Sequence, residues 1–180
     1  TESRCVVDLG TGSGAIGLSM AAELSIVDTQ VWLTDNSPDA LNVAQANAAG
    51  LGRAGANVRF ALGTWFEALS REMSDDLHGQ VQVIVSNPPY IADDDREVHE
   101  SVREWEPHAA LFAGNDGLDD VRVIIDGARE WLCASGWLVL EIGYQQGESV
   151  SALMRQAGFV DVCVSDDLTG RQRFVEGRNP

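Results

Sequence analysis

Short apolar runs alternate with segments of helical period along almost the whole chain. Cys5-Val6-Val7-Asp8-Leu9 is a run of strand length, and the apolar helical stretch Ala15 to Leu24 follows it after a glycine-rich gap. Gln30-Val31-Trp32-Leu33-Thr34 predicts a second strand ending at Asp35. Ser37-Pro38-Asp39 then reads as an N-cap, a first-turn proline and an acid favoured by the helix dipole, with Ala40, Leu41, Ala44 and Ala48 on one face before Gly50. Strands three to five are predicted at Val58 to Leu62, Val81 to Ser86 and Gly136 to Ile142. Helices are predicted over Leu118 to Leu132 and around Val150, Leu153, Met154 and Ala157, the latter stopped by Gly158. Phe159 to Val164 and Gln172 to Glu176 read as a terminal strand pair. Alternating β and α units imply an α/β domain built on a doubly wound, mostly parallel sheet.

The periodicity fails from Ile91 to Asp116, where Asp93-Asp94-Asp95-Arg96-Glu97 is strongly polar. A connection of this length in a compact domain is usually functional, and one that begins at Tyr90 is expected to cover a bound substrate.

Composition narrows the function classes. The 180 residues, 44% apolar and 22% charged, make one domain with an ordinary core, no membrane span and no signal sequence, hence a soluble protein. Cys5, Cys133 and Cys163 are odd in number and set in apolar stretches, so all three are expected to be core thiols of a cytoplasmic protein. His78, His99 and His108 have no ligand spacing around them, and no metal is expected. With 28 acidic residues against 12 basic ones, all arginine, the net charge of -16 disfavours a phosphate backbone as partner.

Two loops carry the candidate chemistry. Gly10-Thr11-Gly12-Ser13-Gly14 lies between the first strand and its helix, a nucleotide-cofactor entrance where glycines allow close approach. Asp35, with Asn36 beside it, ends the second strand about 20 residues later, where an acid can hold ribose hydroxyls. The spacing fits a dinucleotide through Gly12 to Gly17, a weak signal alone, and it fits S-adenosylmethionine better through Asp8-x-Gly10-x-Gly12-x-Gly14. Asn87-Pro88-Pro89-Tyr90 follows the fourth strand. The prolines stiffen the backbone and leave carbonyls free, Asn87 adds a side-chain amide, and Tyr90 adds a stacking face. Such a segment can hold a planar NH2 group, so a methyl donor gives both loops one task.

These residues together resemble the HemK/PrmC family of protein-(glutamine N5) methyltransferases that act on class I peptide-chain release factors. The resemblance rests on Asp8 to Gly14, Ser86 to Ile91, Glu106-Pro107 with Ala110-Leu111, Asp116-Gly117-Leu118, Leu140 to Gly143, and Gly170-Arg171 with Arg173. It implies a seven-stranded Rossmann-like sheet with an antiparallel terminal strand and S-adenosylmethionine as cofactor. It also implies that Asp8, Gly10, Thr11, Gly12, Ser13, Gly14, Asp35, Asn36 and Asn87 bind the cofactor, with Trp65 lining the adenine pocket. Asn87, Pro88, Pro89 and Tyr90 would hold the glutamine, the Asn87 oxygen and the Pro88 carbonyl each accepting one N–H while Tyr90 stacks on the amide plane. The family's helical N-terminal docking domain is not expected in residues 1–180. Amino-methylation of an adenine or guanine by the same tetrapeptide, and a noncatalytic nucleotide-binding module, remain as alternative readings.

Overall fold

The apolar runs become strands because their alternate residues can bury both faces of a sheet. The computed structural model describes residues 4–24, 27–72, 78–92 and 112–180. Among these, β1 (Arg4–Leu9), β2 (Thr29–Asp35), β3 (Val58–Leu62), β4 (Val81–Ser86), β5 (Leu132–Glu141), β6 (Val160–Asp166) and β7 (Gln172–Arg178) form one sheet in the order β3-β2-β1-β4-β5-β7-β6. Neighbours are parallel except where β7 runs antiparallel to β5 and β6. The expected α/β fold is present, with its antiparallel strand inserted beside the sheet's end.

The strand pleat sorts the core into two layers. Cys5, Val7 and Leu9 face α3 (Phe66–Glu72), α4 (Asp119–Trp131) and α5 (Gly147–Gln156), packing with Ile124, Ile125, Leu138, Leu140 and Met154. Val6 faces the other way, toward α1 (Ala15–Glu23) and α2 (Pro38–Ala49), with Val31, Leu33, Leu18 and Ala44. Each fully buried Leu or Ile contributes about 1.5–3 kcal/mol of transfer free energy. Capping follows the residues: the Ser37 Oγ accepts the Ala40 N–H at 3.3 Å with Pro38 and Asp39 in the first turn, and Gly158 (φ 93) ends α5.

Three expectations need correction. Leu132 keeps the helical period of α4 but pairs with Val81 as the first residue of β5, so that strand is longer than predicted; Ser135 (φ 66) and a register shift lie in the join, and regular pairing resumes at Trp137. Helix α3, unpredicted, is too short to show a period, although Ala68 and Leu69 are fully buried. Cys5 is a core thiol whose burial pushes its pKa up to about 12, whereas Cys133 is half-buried and Cys163 is exposed on edge strand β6. Among the described residues no helix is long and apolar enough to cross a membrane.

Close packing of α1 depends on Gly17, where an added Cβ would lie 2.7 Å from Leu33 Cδ1 and 2.9 Å from Asp8 Oδ2. Alanine gains about 1 kcal/mol of helix propensity over glycine, against about 1–3 kcal/mol for overpacking a core. The clash should win, because one obstructing atom is the carboxylate oxygen that the Gly17 N–H itself holds. Gly17→Ala is expected to lower the unfolding free energy by about 1 kcal/mol, read as a lower urea midpoint with an unchanged m-value.

Candidate functional site

Leu9 and Ser86 are opposite one another at the carboxyl ends of adjacent strands β1 and β4. The buried Ser86 hydroxyl donates to the Leu9 carbonyl at 2.7 Å. Gly10 and Asn87 follow directly after these strand ends, so the two candidate loops spring from one pinned point. The chain winds outward through β2 and β3 on one side and through β4 and β5 on the other, which opens a crevice at this reversal.

The glycine loop turns through left-handed backbone at Gly10 (φ 67), Gly12 (φ 56) and Gly14 (φ 86). It is held from beneath: Thr11 N–H donates to the Thr34 carbonyl at 2.8 Å and Gly12 N–H to Asp35 Oδ2 at 2.9 Å. Asp8 is 1% exposed, and its Oδ2 accepts the Thr11 hydroxyl at 2.5 Å and the Gly17 N–H at 2.8 Å. Burial pushes the Asp8 pKa up to about 6, outweighing those two hydrogen bonds, which pull it down. Asp8 thus braces the loop from within the fold, while Ser13 is exposed on it. A Cβ on Gly12 would meet nothing within 4 Å, so this backbone borders open space.

Around that space, Asp35 is half-buried, with Oδ1 accepting the Ser37 N–H at 2.9 Å, and Asn36 is exposed. Trp65 (φ 45) is half-buried, and its ring would lie 3.2 Å from a Cβ on Gly10. A non-glycine residue in that region of backbone space is strained, and such strain clusters at functional sites. The Trp65 side chain lies near the Asp120 carboxylate, whose pKa is raised by burial against the influence of that neighbour.

Across the crevice Asn87 is exposed, Pro88 buried, and Pro89 and Tyr90 half-buried. The Tyr90 carbonyl accepts from Gln146 Nε2 at 2.9 Å, and a Cβ on Gly143 would lie 3.5 Å from Tyr90 Cδ2. Ile91 pairs with Phe112 in a parallel bridge, and the Ala113 N–H donates to the Ile91 carbonyl at 3.0 Å. Both ends of the long connection are therefore held beside Tyr90. Residues 93–111, including Asp93 to Glu97, His99, His108, Glu106-Pro107 and Ala110-Leu111, lie outside the described residues, and so does the covering role expected of them. Sequence reasoning missed Asp120 and Gln146, and it named Gly117 only within Asp116-Gly117-Leu118, without its contact to Tyr90, which is distant in the chain. Ser86 carried a faint signal, a hydroxyl closing an apolar run.

Residues 1–105 match the family model for the methyltransferase small domain. The chain belongs to that family. Over 99% of its length this methyltransferase domain is 45% identical to a release factor glutamine methyltransferase of Xylella fastidiosa, and over 99% it is 42% identical to one of Burkholderia pseudomallei. The match spans 61% of either relative, so the chain corresponds to about three-fifths of their length. A methyltransferase of Pyrococcus furiosus has the same fold, with a TM-score of 0.66 at 16% identity over 99% of this chain and 76% of that one.

The buried acid beneath the loop gives a pH signature. Unfolded, Asp8 titrates near the ordinary 3.8; folded, it holds its proton to about 6. Between those values the folded state binds the extra proton, so stability contributed by this group is complete below 3.8, falls as pH rises, and is flat above about 6. In Asp8→Asn that decline should vanish. The difference in unfolding free energy between the two proteins, measured by urea titration across this window, is expected to change with pH in that direction, and a constant difference would contradict it.

Proposed function

We propose that this domain transfers a methyl group from S-adenosylmethionine to a glutamine side-chain amide of a class I peptide-chain release factor. The observation that carries the proposal is the Ser86–Leu9 hydrogen bond, which sets Asn87-Pro88-Pro89-Tyr90 directly beside the glycine loop. Identity of 42–45% to proteins named release factor glutamine methyltransferase supports the substrate class. Residues 1–180 are read as the catalytic unit, and a cytoplasmic site of action follows from such a substrate.

The residues fit the cofactor. The open backbone at Gly12, in the turn from Gly10 to Gly14, suits its methionine portion, the Asp35 carboxylate has lone pairs left for a vicinal diol, and Trp65 offers a flat wall for a purine. Thr11, Ser13, Asn36 and Asp8 complete the cradle, with Asp8 acting through the loop it braces. When bound, S-adenosylmethionine supplies an electrophilic methyl group on a sulfonium.

What the protein adds at the acceptor is placement and electrostatics. An amide nitrogen is a poor nucleophile because its lone pair is delocalised into the carbonyl. The Asn87 oxygen and the Pro88 carbonyl, accepting one N–H each, would aim that lone pair and stabilise positive charge as it develops on nitrogen. Tyr90 would hold the amide plane. The new N–C bond would form as the methyl–sulfur bond breaks, a neutral thioether being the leaving group, and the proton would then be lost to water, so no strong base is required.

Asn87→Ala is expected to lower kcat by about a hundredfold or more, the loss typical of one oriented polar group at a developing charge. Cofactor affinity measured by calorimetry should stay near that of the unaltered protein; a joint fall would make Asn87 a cofactor ligand first. The function itself is tested by transfer of a labelled methyl group to a purified bacterial release factor and to a copy whose Gly-Gly-Gln glutamine is changed to alanine. Label is expected on the first only. Label on both, or preferential label on RNA or DNA, would replace this reading.

A further inference from the structure

Gln146 stands at the N-cap of α5 (φ -95, ψ -4), yet its side chain makes no capping hydrogen bond. It reaches elsewhere. Its Oε1 accepts the Gly143 N–H at 2.9 Å, while Nε2 donates to the Tyr90 carbonyl at 2.9 Å and lies 3.4 Å and 3.5 Å from the carbonyls of Gly117 and Asp116. The amide orientation is dictated by these partners, since reversing it would set an oxygen against three carbonyls and an NH2 against an N–H. One side chain thus joins the segment after β4, the segment leading into α4 and the turn after β5.

Its partners are shaped for close contact. Gly117 (φ 70) lies so near the Tyr90 carbonyl that a Cβ there would collide with it. Gly143 borders both the Tyr90 ring and Gln146 Oε1, with an added Cβ 3.5 Å and 3.0 Å away. The Tyr90 backbone is consequently clamped on its carbonyl side by Gly117 and Gln146, and its ring rests beside Gly143. Pro88 and Pro89 stiffen the three residues before it, so an error in height or tilt at Tyr90 is passed to the Asn87 side chain and the Pro88 carbonyl.

We propose that Gln146 is a positioning residue for the acceptor cradle: through the Tyr90 carbonyl it sets the height and plane at which Asn87 to Tyr90 meet the acceptor amide. This deepens the proposed function and rests on that reading of the site. Gln146 touches neither the glycine loop nor Asp35, so its influence falls on turnover and acceptor binding, not on the cofactor.

Two substitutions separate this role from local turn stability. Gln146→Met keeps the length and removes every polar contact. Gln146→Glu keeps an acceptor for the Gly143 N–H but turns an oxygen toward the Tyr90 and Gly117 carbonyls. Both are expected to lower kcat by about tenfold to a hundredfold, the scale on which small misplacements act, with cofactor Kd unchanged by calorimetry. Both should also speed hydrogen exchange in peptides covering residues 86–92. Wild-type kcat in Gln146→Glu would overturn the proposal, since the Gly143 turn alone would then account for the residue. Unchanged exchange at 86–92 in Gln146→Met would overturn it too. The exchange measurement needs no substrate, so it decides the brace even if the unaltered protein methylates something other than a release factor; that result would remove the substrate reading alone.

Discussion

The reversal of strand order between β1 and β4 is the constraint on which the rest of the molecule depends. Strands that wind outward from one line leave no helix across their carboxyl ends there, and the crevice so formed is open by topology rather than by loop flexibility. The Ser86 hydroxyl on the Leu9 carbonyl fixes the floor of that crevice, with both groups buried and mutually satisfied. A buried hydroxyl without such a partner would cost about 1–3 kcal/mol. The same bond that satisfies Ser86 therefore locks the distance between the glycine loop and Asn87.

Above that floor the two halves are stiffened by opposite means. The glycine side gains freedom from missing Cβ atoms and loses it again to hydrogen bonds that Asp8, Thr34 and Asp35 accept. The proline side is rigid in its backbone and is clamped from outside by Gln146 and Gly117. The entry to α4 borders both halves, since Gly117 meets the Tyr90 carbonyl and Asp120, in the first turn, lies near Trp65. Positioning on the two sides of the crevice thus shares one structural element.

The strands were legible in the sequence because buried parallel strands are nearly continuous apolar runs, and β3 and β4 fall within their predicted limits, Val58 to Leu62 and Val81 to Ser86. The junction at Leu132 was not legible, because a leucine at helical spacing also satisfies a strand once the backbone turns extended. Helix α3 was hidden by its length, and Cys163 by an edge strand whose apolar neighbours resemble a core. The glycines, Asp35 and Asn87 to Tyr90 could be picked out locally as candidates, since each lies in a short motif, and the fold brings them to one crevice. Gln146 could not. Its partners lie 56 and 29 residues away, and a glutamine before a helix carries no sign of which carbonyl it will meet. Asp8 was read as a cofactor ligand, but its position in the pleat facing α1 turns its carboxylate toward Thr11 and Gly17.

The charge pattern bears on how the proposed reaction divides binding from catalysis. A chain of net charge -16, with Asp8 and Asp35 under the glycine loop, favours a cation in the crevice at every stage of transfer. Stabilisation that is equal before and during the reaction tightens binding but does not lower the barrier from the bound state. Positive charge moves toward the acceptor nitrogen as the new bond forms, so only groups at that nitrogen are better placed for the transition state than for the ground state. In the proposed reaction those groups would be the Asn87 oxygen and the Pro88 carbonyl, uncharged dipoles on a stiff backbone. Their worth depends on orientation, because a hydrogen bond weakens steeply once it is bent below about 120°, while a charge has no direction to lose. On the proposed reading the clamp around Tyr90 would serve that dependence: the acids beneath the loop tolerate small displacements, and the carbonyls across the crevice would not.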